Sequence, residues 1–174
     1  MNKCAIAAIA ALAVNATAAT TETYTISGPV NQALAVPPAK SGLARVDLSF
    51  SNKVNGTLTV NNAGAAQSCG VNLTLASSVG SFNNFGQFGA WKTWPTGTTA
   101  VSGFGVVDNR TAYYVDNLSA WQSPSTWLVT ATAVAGGTLP AGISASGSVD
   151  ASSSTTLTVT YTYAPFPTVK KGRK

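Results

Sequence analysis

Acid–base chemistry in this chain would have to rest on five carboxylates, because its 174 residues include no histidine. With histidine go the commonest general base, the Ser-His-Asp arrangement and the usual zinc ligand. A Ser-Lys pair would need a desolvated lysine in an S-x-x-K arrangement, and none of Lys40, Lys53 or Lys92 stands in one. Glycoside hydrolysis uses two opposed carboxylates. Glu22 lies close to an expected processing point, which leaves Asp47, Asp108, Asp116 and Asp150. Asp108 in "VVDNRTA" and Asp116 in "YVDNLS" share a D-N context, in which an Asx side chain caps a turn through its own backbone. Calcium is the alternative occupant of such loops. The sequence has no phosphate-binding glycine loop, no CxxC pair and no EF-hand pattern. The expectation is a protein with no catalytic residue, no metal and no cofactor.

The other residues with recognition chemistry are aromatic. Residues 82–127 hold all four tryptophans, and "SFNNFGQFGAWKTWP" sets Phe82, Phe85, Phe88, Trp91 and Trp94 at a constant spacing of three. An α-helix would smear that series around its surface, whereas a chain with three residues per turn would stack it. Gly86 and Gly89 oppose a stable α-helix. Three roles are open to these rings: a plug over an open end of the fold, a contact surface between sibling subunits, or a platform for sugars. In the last, Trp91, Trp94 or Trp121 would stack on sugar rings, with Asn83, Asn84, Gln87 and Asp108 alongside.

The elements that must carry these side chains read as strands. Period-two alternation recurs in "TYTIS", "RVDLSF", "TLTV", "VNLTL", "TAYYV", "TWLVTATAV" and "TLTVTYTY", with Thr on the off-beat. Gly, Pro, Asn and Ser separate the runs, and helical periodicity is missing beyond the first residues. The pattern predicts an all-β fold, a single antiparallel β-sandwich of Ig-like or jelly-roll type over residues 20–165. Asn55-Gly56 predicts a hairpin. A loop of three, Val54-Asn55-Gly56, pairs Phe50 with Val60 and keeps Leu48, Phe50, Leu58 and Val60 on one face, with Gly56 supplying the positive φ of a bulge. "AGGTLPAGISASGSVDASSS" reads as a long surface loop with at most one short edge strand.

Residues 1–19 have the layout of a cleavable signal segment: Lys3, an apolar run from Ala5 to Val14, and a small-residue exit with cleavage after Ala18 or Ala19. Cys4 would leave with it. Cys69 would then be alone and is expected to be buried. The formal charge of +5 is unevenly placed. Between residues 20 and 169 the cations Lys40, Arg45, Lys53, Lys92 and Arg110 balance the acids Glu22, Asp47, Asp108, Asp116 and Asp150. The body has no net basic charge, so nucleic acid is not an expected partner. Pro165 and Pro167 stop the last strand, and residues 166–174 form a basic tail. There Lys170, Lys171, Arg173 and Lys174 would be solvated, with contact to an anionic surface as their functional option. Asn55, Asn72, Asn109 and Asn117 each open an N-x-[ST] triplet, and Asn55 at the expected hairpin tip would be the favoured acceptor.

In broad organisation this exported, low-charge, Thr-rich chain is similar to bacterial fimbrial and surface-layer subunits, although the paired cysteines usual in pilins are absent. The resemblance covers architecture; the scarcity of charge, the terminal alternating strands and the concentration of aromatics carry the expectation of a secreted or cell-surface structural protein, non-enzymatic, associating with copies of itself or with other surface subunits. Thr20–Val36 or the terminal strand would pair with a neighbour's open edge, through Tyr24 and Ile26 or through Leu157, Val159, Tyr161 and Tyr163. The aromatic patch of Phe82, Phe85, Phe88, Trp91, Trp94 and Trp121 would supply a second contact. A carbohydrate-binding module, with polysaccharide as partner, and a phage or virus surface protein are the alternatives.

Overall fold

A computed structural model describes residues 18–80 and 82–165. Most of the expected leader and the tail cations Lys170, Lys171, Arg173 and Lys174 lie outside the described residues. Among those described there are nine strands, no α-helix and one short 3-10 helix, Leu118–Gln122. The strands are β1 (Thr20–Pro29), β2 (Ala33–Val36), β3 (Leu43–Asn62), β4 (Gln67–Val79), β5 (Phe82–Trp94), β6 (Gly97–Tyr114), β7 (Ser125–Gly136), β8 (Ile143–Val149) and β9 (Ser154–Tyr163). They form two antiparallel sheets packed as a β-sandwich. One has the order β1-β9-β3-β6, with β8 also on β3; the other has the order β2-β7-β4-β5.

The expected hairpin at Asn55-Gly56 does not form. Residues 43–62 make one strand of 20 residues, and Phe50 lies opposite Arg110 of β6 and Leu157 of β9. From Val46 to Asn62 every apolar residue has even parity. Val46, Leu48, Phe50, Val54, Leu58 and Val60 therefore all point inward along an unbroken strand, with no loop needed to keep them in phase. β3 pairs with β9 through Lys53 and with β8 from Gly56. At the hand-over, the Asn55 N–H donates to Ser153 Oγ (2.9 Å) and its carbonyl accepts from the Asp150 N–H (2.9 Å). The β8–β9 connection thus supplies the backbone partners that neither strand provides. A bulge does interrupt the β3–β6 ladder between Gly56 and Leu58. Its extra residue is on β6, and the positive φ belongs to Gly103 (93°), not Gly56.

The interior is two apolar clusters. Val46, Leu48, Phe50, Val79, Val129 and the inward side of β9 make one. Val54, Leu58, Val60, Val71, Leu73, Leu75 and Trp94 make the other. Between them runs a polar belt at inward strand positions: the Asn52 amide donates to Ser77 Oγ and accepts from Thr155 Oγ1 (2.9 Å). Asn62, also buried, donates to the carbonyls of Ala65 (2.9 Å) and Trp94 (3.0 Å) and accepts from the Gly64 N–H (3.0 Å). Among the described residues no buried side-chain nitrogen or oxygen lacks a partner, so these polar positions add directional bonds without stranded groups. Cys69 is buried with a free thiol.

One further expectation changes. Leu157, Val159, Tyr161 and Tyr163 are not on an edge, because β9 is hydrogen-bonded to β1 on one side and β3 on the other. All four are buried. The Gly/Ser-rich stretch contains one short strand, as expected: β8, paired with β3 alone. β8 also approaches β7 closely: a Cβ on Gly147 would stand 2.9 Å from the Ala133 backbone and 2.6 Å from Leu73 Cδ1.

Candidate functional surfaces

Strand geometry sorts the aromatic series by parity. In β5 the even positions face the core and the odd ones face solvent, so a spacing of three alternates between faces. Phe82 stacks on Phe50 with centroids 6.2 Å apart, and Phe88 packs on Phe104 at 5.5 Å. Trp94 is fully buried: its indole N–H donates to the Cys69 carbonyl (3.1 Å), and Lys92 Nζ lies 4.5 Å over its ring. Phe85 and Trp91 point outward, 77% and 78% exposed. Trp121 lies on the 3-10 helix at one end of the sandwich, packed between Tyr114, Trp127 and Tyr161. The expected single patch of Phe82, Phe85, Phe88, Trp91, Trp94 and Trp121 is therefore three separate groups, and Trp94 is not available as a contact.

The outward group stands on an unusual surface. The outer face of β5, β4 and β7 presents Phe85, Trp91 and Val134 among Ser, Thr, Asn, Gln, Ala and Gly, and Leu128 continues it at the start of β7. No outward-register position of these three strands is ionisable; the exposed Lys92 of β5 is at an inward-register position, its Nζ over the Trp94 ring. Trp91 lies over Gly70, where a Cβ would come within 2.8 Å of its ring. The glycine opposite thus lets a large indole lie down on the sheet. Beside Phe85 an open hollow of about 310 Å³ is lined by Ser78, Asn83, Thr130 and Thr132.

The other sheet carries the charge. Arg45 and Asp47 sit two apart on the outer side of β3, the guanidinium Nε donating to both carboxylate oxygens (2.9 and 2.8 Å). The Asp47 carboxylate beside it pushes the Arg45 guanidinium further above its already high range. Arg45 also lies 4.9 Å over the Tyr113 ring, the residue opposite Asp47 on β6. Across β9 and β1 run rows of hydroxyls in register, bonded pairwise: Thr23 with Thr160 (3.0 Å), Thr25 with Thr158 (3.4 Å) and Ser27 with Thr156 (3.0 Å). Tyr24 and Ile26 share β1 with these threonines but on its half-buried side, and β1 is the outermost strand of its half of the sheet.

Asp108 does not cap a turn. It is within β6 and its Oδ2 pairs with Arg110 Nε (2.7 Å), while Asp116 is in the connection after β6. No group of three or more metal-ligating side chains occurs among the described residues. Of the triplet asparagines, Asn55 is in mid-strand and donates to Ser152 Oγ (2.9 Å), not at a tip. Asn117, in a left-handed conformation (φ 52°), is the one in a connection. Tyr113 and Tyr114 are not among the contacts expected from sequence, and Asp116 is expected only as a turn cap, calcium ligand or remaining carboxylate; the clue is "TAYYVDN", aromatics running directly into a D-N pair. No protein-family model matches the chain, and neither a curated protein nor a solved structure matches it.

Proposed function

We propose that this chain is a non-enzymatic structural subunit of an extracellular or surface assembly, an Ig-like or jelly-roll module that is exported and binds copies of itself. The single observation that supports this most is the outer face of β5, β4 and β7, which lacks ionisable side chains yet exposes Phe85, Trp91, Leu128 and Val134. Surfaces that stay in water carry interspersed charge, while the centres of protein interfaces lose charge and gain aromatics. A neutral face can also meet its own copy without like-charge repulsion, so a second copy of this chain suits it as an occupant. Extension would come from β1, whose free ladder of backbone groups can accept a neighbour's strand. Tyr24 and Ile26 belong to that strand, whereas Leu157, Val159, Tyr161 and Tyr163 contribute by holding it in place.

Negative-stain electron microscopy of the concentrated secreted protein tests the reading. Ordered particles or fibres are expected from the natural chain, and dispersed single molecules from Phe85→Lys/Trp91→Lys. Dispersed molecules from both would refute it.

A further inference from the structure

We propose a second site, on the opposite sheet from the neutral face, that binds a neutral saccharide chain. Tyr113, 65% exposed, stands between two open hollows of about 410 and 550 Å³ that both include it. Each is within the size range of small-ligand sites. Together they can seat adjacent units of a linear ligand.

The chemistry is mixed in the way a polyol requires. In the first hollow Arg45 and Asp47 are locked to each other, and Arg45 rests on the Tyr113 ring. A guanidinium has five N–H donors in a fixed fork and a carboxylate about four acceptor sites, so both retain bonding capacity toward a ligand while held in position. Thr158 and Thr160 line the same hollow with hydroxyls that both donate and accept. In the second hollow Tyr114 and Trp121 present rings 5.5 Å apart, and the Asp116 carboxylate stands beside them. Asp116 makes no ion pair or hydrogen bond among the described residues. Donors, acceptors and aromatic walls all face open space here. An anion would meet an excess of carboxylate over guanidinium, and in the first hollow a cation would compete with Arg45 for the Tyr113 ring. An uncharged, polyhydroxylated chain suffers neither conflict.

The experiment is an amide-shift titration of the Phe85→Lys/Trp91→Lys chain, whose substitutions lie on the other face and keep it monomeric, with cellotetraose, maltotetraose, xylotetraose and chitotetraose in turn, with choline and tetragalacturonate as charged comparisons. The expected result is saturable shifts at Arg45, Asp47, Tyr113, Asp116 and Trp121 with at least one neutral tetrasaccharide. Tyr113→Ala and, separately, Asp116→Ala in that background should each weaken that binding by about tenfold or more. Both substitutions are at exposed positions, and preserved amide spectra would show that the variants are folded. The proposal is overturned if no neutral tetrasaccharide shifts these residues up to its solubility limit, if choline or tetragalacturonate binds there more tightly, or if both variants bind like their parent chain.

Discussion

Tyr161 shows how a single side chain ties the fold to solution conditions. Its ring is buried and its hydroxyl donates to the Pro37 carbonyl (2.7 Å). Burial first, and then the nearby Tyr163 and Tyr24, push its pKa up to about 12 from the ordinary 10.0. A raised folded-state value means that the stability tied to this proton is complete below pH 10 and is lost as pH rises from 10 toward 12. Alkaline unfolding followed by circular dichroism should therefore steepen in that window. Tyr161→Phe should remove the steepening while lowering stability at neutral pH by about 1 kcal/mol for the lost hydrogen bond. Glu22 carries the opposite sign: its hydrogen bond from Lys40, then one from Tyr163, holds its carboxyl below the ordinary 4.5. The stability it contributes is present above pH 4.5 and lost as pH falls below it. Acid unfolding of Glu22→Gln should show a shallower dependence there. At this scale the sequence made the residue types legible but not their surroundings. The constant spacing of Phe82 to Trp94 is plain, yet only membership in a strand decides that Trp94 is sealed and Trp91 open. Asp108 read as a turn cap because its partner Arg110, two residues away, matters only once both lie on β6.

Among the elements, β3 is the one that local signals misread. Asn55-Gly56 is a strong hairpin cue, but Asn55 gains its backbone partners from Ser153 and Asp150, nearly a hundred residues on, which no local rule can register. The unbroken even parity from Val46 to Asn62 was the available evidence for a continuous strand, and its length, far beyond the usual 5–6 residues, set the expectation against it. The polar belt explains how so long a strand keeps its register. A one-residue slip would take Asn52 away from both Ser77 and Thr155 and leave buried groups unpaired. Asn52→Ala should cost about 1–3 kcal/mol in urea unfolding. A loss under about half a kcal/mol would show that the belt does not hold register. Gly103 offers a second test at the bulge: Gly103→Ala forces a side chain into a positive-φ position and should cost about 1–2 kcal/mol. No measurable change there would mean the bulge can move along β6.

At the scale of the whole molecule, alternation and turn spacing made the all-β sandwich legible, because inward and outward faces are written residue by residue. The order of strands was not, since it depends on contacts between distant segments: β9 is an interior strand because β1, from the other end of the chain, covers it. For the same reason the sequence showed that charge was scarce but not that the outer face of β5, β4 and β7 has none. That segregation gives the molecule two unlike sides, a neutral aromatic one and a charged, hydroxyl-rich one with Tyr113 on its edge strand, β6. Burying an exposed Phe or Trp side chain contributes about 1.5–3 kcal/mol, so Phe85 and Trp91 together can decide whether copies associate.

Sedimentation velocity across a wide concentration range, run on the natural chain beside Phe85→Lys/Trp91→Lys, tests this most directly. The natural chain should sediment as species larger than a monomer, increasing with concentration, while the doubly substituted chain remains monomeric and folded. A natural chain that stays monomeric at its highest soluble concentration would contradict the account.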